Sequence, residues 1–280
     1  MTRRSEFMAV LGHELHVSLW GDPINPAVVM WHGLARTGRD FDELARALSD
    51  QYFVLCPDTI GRGLSSWSDD STREYLPRFY ARLALAMLDH YEIACTHWIG
   101  TSMGGLIGMH LAASKDAKRL SSLIINDIGP ELPDAALDRI TTYVAELPRF
   151  DSYAEGELWL REIYAPFGPA PAAFWQRMAL TSFRRCADGK LTLHYDPKIA
   201  DMLRDDEDQA LLWQAWDRTT TPCHILRGAE SDILPASLAH VMTQRGARPA
   251  LTTIERCGHA PSLSRVEDAE LVRSLLRRLS

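Results

Sequence analysis

The chain has 280 residues, and its 30 Lys and Arg against 37 Asp and Glu leave a formal net charge of −7. A composition that is 46% apolar and 24% charged excludes a disordered chain, a collagen-like repeat and a disulfide-packed miniprotein. Net acidity, with arginines that cluster only in pairs such as Arg184-Arg185 and Arg277-Arg278, argues against a nucleic-acid partner. The length fits one large domain, or a core domain carrying a sizeable insertion. The N-terminal stretch, with its Arg3-Arg4 pair, has no apolar run that reads as a signal peptide, and no window is apolar enough for a membrane span. The five cysteines are odd in number and irregularly spaced, with no C-x-x-C. They read as reduced thiols, and the chain as cytoplasmic.

In chain order, Phe7–Trp20 alternates about Gly12-His13 and predicts a β-hairpin. The runs 27–31, 52–56, 97–100 and 120–126 are short and continuously apolar, which suits strands buried on both faces. Between them, 41–48, 73–91 and 104–113 carry helical spacing. Strands alternating with helices predict a doubly wound, mostly parallel α/β sheet of about eight strands. The pattern stops near residue 130 and resumes with strands at 223–226 and 250–255 and a helix over 268–279. The intervening 131–217 shows no buried strand and is helical in period. It is punctuated by prolines and rich in tryptophan (Trp159, Trp175, Trp213, Trp216). The expected organisation is a core of 1–130 and 218–280 with a helical cap, or lid, inserted at 131–217.

Gly100-Thr101-Ser102-Met103-Gly104 is a G-x-S-x-G between a buried strand and an apolar helix. That is the strand–turn–helix context that lifts a serine into a tight nucleophile elbow. A hydroxyl needs a base, and among ten histidines His259 stands out, set in Cys257-Gly258-His259-Ala260-Pro261 after the strand at 250–255. The imidazole in turn needs a carboxylate. Asp232, just past the strand that starts at 223, is the expected acid. Asp127, after the strand at 120–126, is the alternative, and Glu230 is a weaker third. For the oxyanion hole, the expected donors are the backbone N–H groups of Met103 and of Leu34, the latter in the loop after Trp31-His32-Gly33. His32, Gly33, Arg36, Trp159, Trp175 and His194 are candidate substrate-binding residues, and Arg39 joins Arg36 as a candidate partner for a substrate carboxylate. His13 and His16 form an H-x-x-H, but three residues apart on an alternating strand places them on opposite faces. No metal site is expected there.

The order Ser102…Asp232…His259 with His32-Gly33 upstream resembles the α/β-hydrolase superfamily, over nearly the whole chain. Asp58-Thr59-Ile60-Gly61-Arg62-Gly63-Leu64-Ser65 matches that family's D-x-x-G-x-G-x-S turn, which implies a structural role. Within the superfamily the chain is similar to the capped esterase, lactonase and C–C hydrolase branch that includes 3-oxoadipate enol-lactonase. The resemblance implies a cofactor-free serine carboxylesterase acting on small or medium esters or lactones through an acyl-enzyme. The alternatives are a C–C bond hydrolase, perhydrolase or acyltransferase on the same triad, or a weakly catalytic ligand receptor. Serine at the elbow, where dehalogenases and epoxide hydrolases carry aspartate, disfavours those two classes. Substrate identity and oligomeric state are not fixed by the sequence.

Overall fold

A computed structural model describes residues 2–145, 147–204 and 206–280. In chain order the strands are β1 (Arg4–Val10), β2 (His13–Trp20), β3 (Ala27–Trp31), β4 (Phe53–Pro57), β5 (Thr96–Thr101), β6 (Leu120–Asn126), β7 (Phe183–Arg185), β8 (Leu191–Leu193), β9 (Cys223–Gly228) and β10 (Ala250–Ile254). The α-helices are α1 (Asp42–Leu48), α2 (Ser71–Glu74), α3 (Pro77–His90), α4 (Met103–Ala112), α5 (Asp134–Ala145), α6 (Tyr153–Ile163), α7 (Ala172–Ser182), α8 (Asp206–Arg218), α9 (Ala236–Thr243) and α10 (Val266–Leu279). Eight strands form one sheet in the order β1-β2-β4-β3-β5-β6-β9-β10. The β1–β2 and β2–β4 pairs are antiparallel and the others parallel, as the pattern of buried runs predicts.

Period-2 alternation divides the core between the two faces of this sheet. On one face Val28, Met30, Val54, Cys56, Ile99 and Ile124 meet Leu44 and Leu48 of α1 and Val272, Leu275 and Leu276 of α10. On the other, Val29, Trp31, Leu55, Trp98, Leu123 and Ile125 meet α3, α4 and α9. Trp31 and Trp98 stack with centroids 5.3 Å apart. Each indole N–H finds an acceptor, Thr59 Oγ1 at 2.8 Å and the Gly104 carbonyl at 2.9 Å, so both large rings are buried at no polar cost.

Two local expectations are corrected. The single helix expected over 73–91 is split into α2 and α3. Leu76, the residue before Pro77, is extended (φ −127°, ψ 144°), and Pro77 opens α3 at its first position. The segment 131–217 is not purely helical, because β7 and β8 pair there as an antiparallel hairpin. Gly189, at φ +84°, turns the hairpin. Phe183 packs on Phe150 at 5.2 Å and against Gly156, where a side chain would collide with its ring. These three-residue strands are too short to show a period.

Hydrogen bonds tie the residues after β8 to the turn after β4. Gly63 N–H donates to the His194 carbonyl and Asp196 N–H to the Gly61 carbonyl. The Tyr75 hydroxyl donates to Asp196 Oδ2 at 2.9 Å. The five cysteines are free thiols. No helix among the described residues is long and apolar enough to cross a membrane.

Candidate active site

The carboxyl ends of β5, β6, β9 and β10 lie side by side and supply the chemically useful residues. Ser102 sits between β5 and α4 at φ 50°, ψ −117°, a strained conformation for a non-glycine residue. Its N–H is fixed on the Asn126 carbonyl at 2.9 Å. The flanking glycines are sterically required. A Cβ at Gly100 would land on the Gly104 carbonyl, and one at Gly104 on the Trp31 carbonyl.

His259 Nε2 lies 3.0 Å from Ser102 Oγ, and His259 Nδ1 lies 2.9 Å from Asp127 Oδ2. Asp127 is fully buried. Its Oδ1 accepts from the Gly228 N–H at 2.8 Å and its Oδ2 from the Ser231 hydroxyl at 2.6 Å. A carboxylate so placed only accepts, so the imidazole proton sits on Nδ1 and Nε2 is left to accept from the Ser102 hydroxyl. Asn126 Nδ2 donates to the Pro261 carbonyl at 2.9 Å and to Thr101 Oγ1 at 3.0 Å. That ties the His259 loop to the elbow.

The expected acid is thereby corrected. Asp232 does not face His259. Its Oδ2 takes the Nη2 and Nε of Arg139 from α5, at 2.6 and 3.1 Å, and both side chains are about half exposed. The physical reason lies in the local backbone. Asp127 has a left-handed φ of 64°, and the loop after β9 presents the Gly228 N–H and Ser231 hydroxyl to it. Asp232, one residue after Ser231, is left on the outer side of that loop. Glu230 is exposed and also apart from His259 in hydrogen bonding.

The loop after β3 lies against the serine. A Cβ on Gly33 would sit 3.6 Å from Ser102 Cβ. Arg62, fully buried, braces this region: its Nε donates to the Leu34 carbonyl at 2.9 Å, and its Nη2 lies 3.6 Å from Met103 Sδ. Its Nη1 serves the Ile60 carbonyl at 2.8 Å and the Tyr80 hydroxyl at 2.6 Å, and its guanidinium stacks on the Tyr75 and Tyr80 rings. The D-x-x-G-x-G turn thus supplies the cation that positions both Leu34 and Met103. Sequence reasoning treated that turn as structural and gave Arg62 no part in the site.

A cavity of about 790 Å³ opens above Ser102 and His259. His32, Gly33, Leu34 and Arg36 line it, as do apolar residues that sequence reasoning missed: Leu106, Ile128, Ile140, Phe167 and Phe174. Asp232 and Arg139 lie on the same wall. His32 is held neutral. Burial pushes its pKa down to about 4, its Nε2 accepts from Thr59 N–H at 2.9 Å, and its Nδ1 donates to the Gly33 carbonyl at 2.7 Å. Arg36 is buried and already satisfied, donating twice to Asp40 at 2.7 and 2.8 Å and once to Ser182 at 3.0 Å. Burial opposes its charge, but the Asp40 carboxylate outweighs that and holds the guanidinium pKa above its ordinary value. Arg39 is likewise spent on Asp42. Neither arginine is free for a substrate carboxylate.

Trp159, Trp175 and His194 do not line the cavity. Trp159 packs on Phe150. Trp175 sits edge-on behind Phe174, under the Arg161 guanidinium. His194 lies beside the turn after β4, and burial lowers its pKa. Among the described residues no group of three or more His, Cys, Asp or Glu is arranged to hold a metal ion.

An elbow serine joined through histidine to a buried aspartate, at the carboxyl edge of a mostly parallel eight-stranded sheet, defines the architecture of a hydrolase. The α/β-hydrolase family model matches residues 28–273, and the chain belongs to that family. It is 36% identical over 260 residues to the 3-hydroxybutyrate-oligomer hydrolase of Cupriavidus necator, covering 89% of this chain and 88% of that protein. It is 27% identical over 278 residues to the pimeloyl-[acyl-carrier protein] methyl ester esterase of Xanthomonas campestris, covering 90% of this chain and 94% of the relative. Among solved structures, an α/β hydrolase from Novosphingobium aromaticivorans superposes with a TM-score of 0.86 at 32% identity, covering 99% and 98% of the two chains. The relatives support ester hydrolysis as the general chemistry.

Proposed function

We propose that the protein is a serine carboxylesterase of small or medium ester substrates, and that Ser102, His259 and Asp127 carry the reaction. The observation behind this reading is the continuous hydrogen-bonded chain Ser102–His259–Asp127 at the floor of a cavity of about 790 Å³. Ser102 Oγ attacks the ester carbonyl as its proton passes to His259 Nε2. Asp127, acceptor-only and buried, stabilises the imidazolium without taking its proton. The Leu34 and Met103 N–H groups are the proposed oxyanion donors, each worth about 3–4 kcal/mol in the transition state. His259 then protonates the departing alcohol. A water activated by the same imidazole cleaves the acyl-enzyme and regenerates Ser102.

The apolar wall of Leu106, Ile128, Ile140, Phe167 and Phe174 suits a short or medium acyl chain. Residues 131–217 act in this reading as a cap over the core formed by 1–130 and 218–280. The similarity to an oligomer hydrolase makes short hydroxyacyl esters the natural substrates to try after simple aryl esters. The test is hydrolysis of p-nitrophenyl acetate, butyrate and octanoate by the wild type and by Ser102→Ala. Turnover confined to the wild type is expected, with the chain-length profile reporting the size of the cavity. Absence of turnover in the wild type, or undiminished turnover in Ser102→Ala, overturns the reading.

A further inference from the structure

The strand pair at the sheet edge repeats the Ser–His–Asp hydrogen-bonding arrangement of the site with different residues. His16, on β2, is buried. Its Nδ1 lies 2.9 Å from Asp58 Oδ2 and its Nε2 2.6 Å from Ser5 Oγ on β1. Asp58 follows β4 as Asp127 follows β6. It is nearly as buried, and it too is held by N–H donors: Gly38 on Oδ1 at 2.8 Å and Leu64 on Oδ2 at 3.0 Å. Ser65 ties the two backbones together: its Oγ accepts from the His16 N–H at 2.9 Å and donates to the Asp58 carbonyl at 2.6 Å. Phe7 covers its face at 5.0 Å.

The tautomer follows as it does for His259. Although burial opposes its charge, Asp58 is held in the carboxylate form by His16 and the Leu64 N–H, so it only accepts. Nδ1 of His16 therefore carries the proton, and in the neutral ring Nε2 accepts from the Ser5 hydroxyl. Ser5 is exposed, and none of the three residues lines the cavity that holds Ser102. Ser18, the cross-strand partner of Ser5, receives a hydrogen bond from the Arg3 guanidinium at 3.1 Å, which places a cation beside the pair.

We propose that Ser5, His16 and Asp58 form a second relay, in which Ser5 is an activated surface nucleophile that accepts an acyl group from activated donors such as aryl esters. This goes beyond the esterase reading and does not depend on it. Ser5 Oγ bonds to the donor's carbonyl carbon while its proton passes to His16 Nε2. The carbon–oxygen bond to the aryl oxide then breaks, and the leaving oxide takes that proton or departs as the phenolate. The product is an O-acylated Ser5 and a free phenol. Because Ser5 is exposed and lies outside the cavity that holds Ser102, the reaction proposed is a single acylation rather than turnover.

The experiment treats Ser102→Ala protein with p-nitrophenyl acetate and follows acetylation peptide by peptide by mass spectrometry. Ser237, an exposed serine on α9, is the internal reference. Ser5 is expected to acetylate at least about tenfold faster than Ser237, a modest fraction of what a positioned base supplies. The advantage is expected to vanish in Ser102→Ala/His16→Gln. Labelling of Ser5 no faster than Ser237, or unchanged by a folded His16→Gln variant, overturns the proposal. If His16→Gln fails to fold, the Ser5-to-Ser237 ratio alone decides it.

Discussion

Two aspartates compete for one histidine, and the structure gives the place to Asp127. Its carboxylate is buried and touches His259 at 2.9 Å, whereas Asp232 is half exposed and spent on Arg139. Asp127→Asn should therefore lower kcat on p-nitrophenyl butyrate by about 10⁴, the cost of presenting the wrong imidazole tautomer. Asp232→Asn should leave kcat within a few-fold of wild type. Steady-state kinetics on the two variants check this, and the reverse ranking would return the role to Asp232. Ser102 and His259 were legible from sequence because their flanking glycines and proline announce the turns that hold them. The acid was not, because both aspartates follow strands that end at the same edge. What separates them is a left-handed backbone at Asp127 and the N–H and hydroxyl aimed at it from the neighbouring loop. No spacing in the chain encodes that. The tryptophans failed as substrate-wall candidates for a related reason: Trp159 and Trp175 pack inside their own layer, and Phe174 faces the cavity instead.

At the scale of elements, buried strands were read almost to the residue, because a run such as Ala27–Trp31 with every residue buried leaves little choice. Helices were harder. Pro77 broke one that periodicity joined, and α9 carries too short an apolar stripe to separate from a loop. The β7–β8 hairpin was invisible because it takes its stability from Phe150 and Gly156 rather than from its own pattern. The contact of β5 and α4 with β3 makes a sharp prediction. Gly104→Ala drives a methyl into the Trp31 carbonyl, a backbone atom that cannot swing aside. Overpacking of this kind should cost about 3 kcal/mol and displace the elbow, since β3 and α4 must separate. Denaturant titration should show the lower midpoint, and activity should fall even in protein that remains folded. An unchanged midpoint would show that the packing here is softer than its geometry.

For the whole molecule, the response to acid follows from groups buried in their neutral or paired forms. His32 is neutral when folded down to a pKa of about 4, because of burial, but protonates near 6.5 when unfolded. Between those values the unfolded chain binds the extra proton, so stability rises with pH and is lost as pH falls through that window. His224 is shifted in the same direction, again by burial and next by Arg278. The paired carboxylates Asp40 and Asp58, whose pKa values are lowered by Arg36 and His16 against the opposing effect of burial, add a further loss at still lower pH. From pH 7 to pH 5, His32 alone should remove about 2 kcal/mol. Urea midpoints measured across this range should fall accordingly, and His32→Asn should flatten the slope. A midpoint that is level between pH 7 and pH 5 would contradict the burial of a neutral imidazole.

The bonds that join residues 194–196 to the turn after β4 have a mechanical consequence. On that side the upper layer is fastened by main-chain hydrogen bonds and the buried Tyr75–Asp196 contact, and the same turn carries Arg62, which grips Leu34. On the far side, α5 is held to the loop after β9 by Arg139 and Asp232, a half-exposed ion pair of the kind worth at most about 1 kcal/mol. That pair is not the only tie on its side: α5 buries Ala136, Ile140 and Val144, and the Pro166 and Phe167 carbonyls accept from the Gly258 and Ser262 N–H groups. The upper layer is thus braced by main chain at two separate places, one beside Arg62 and one beside His259. Because salt screens an exposed pair and barely reaches buried bonds, ionic strength should loosen the Arg139–Asp232 tie and leave both braces as they are.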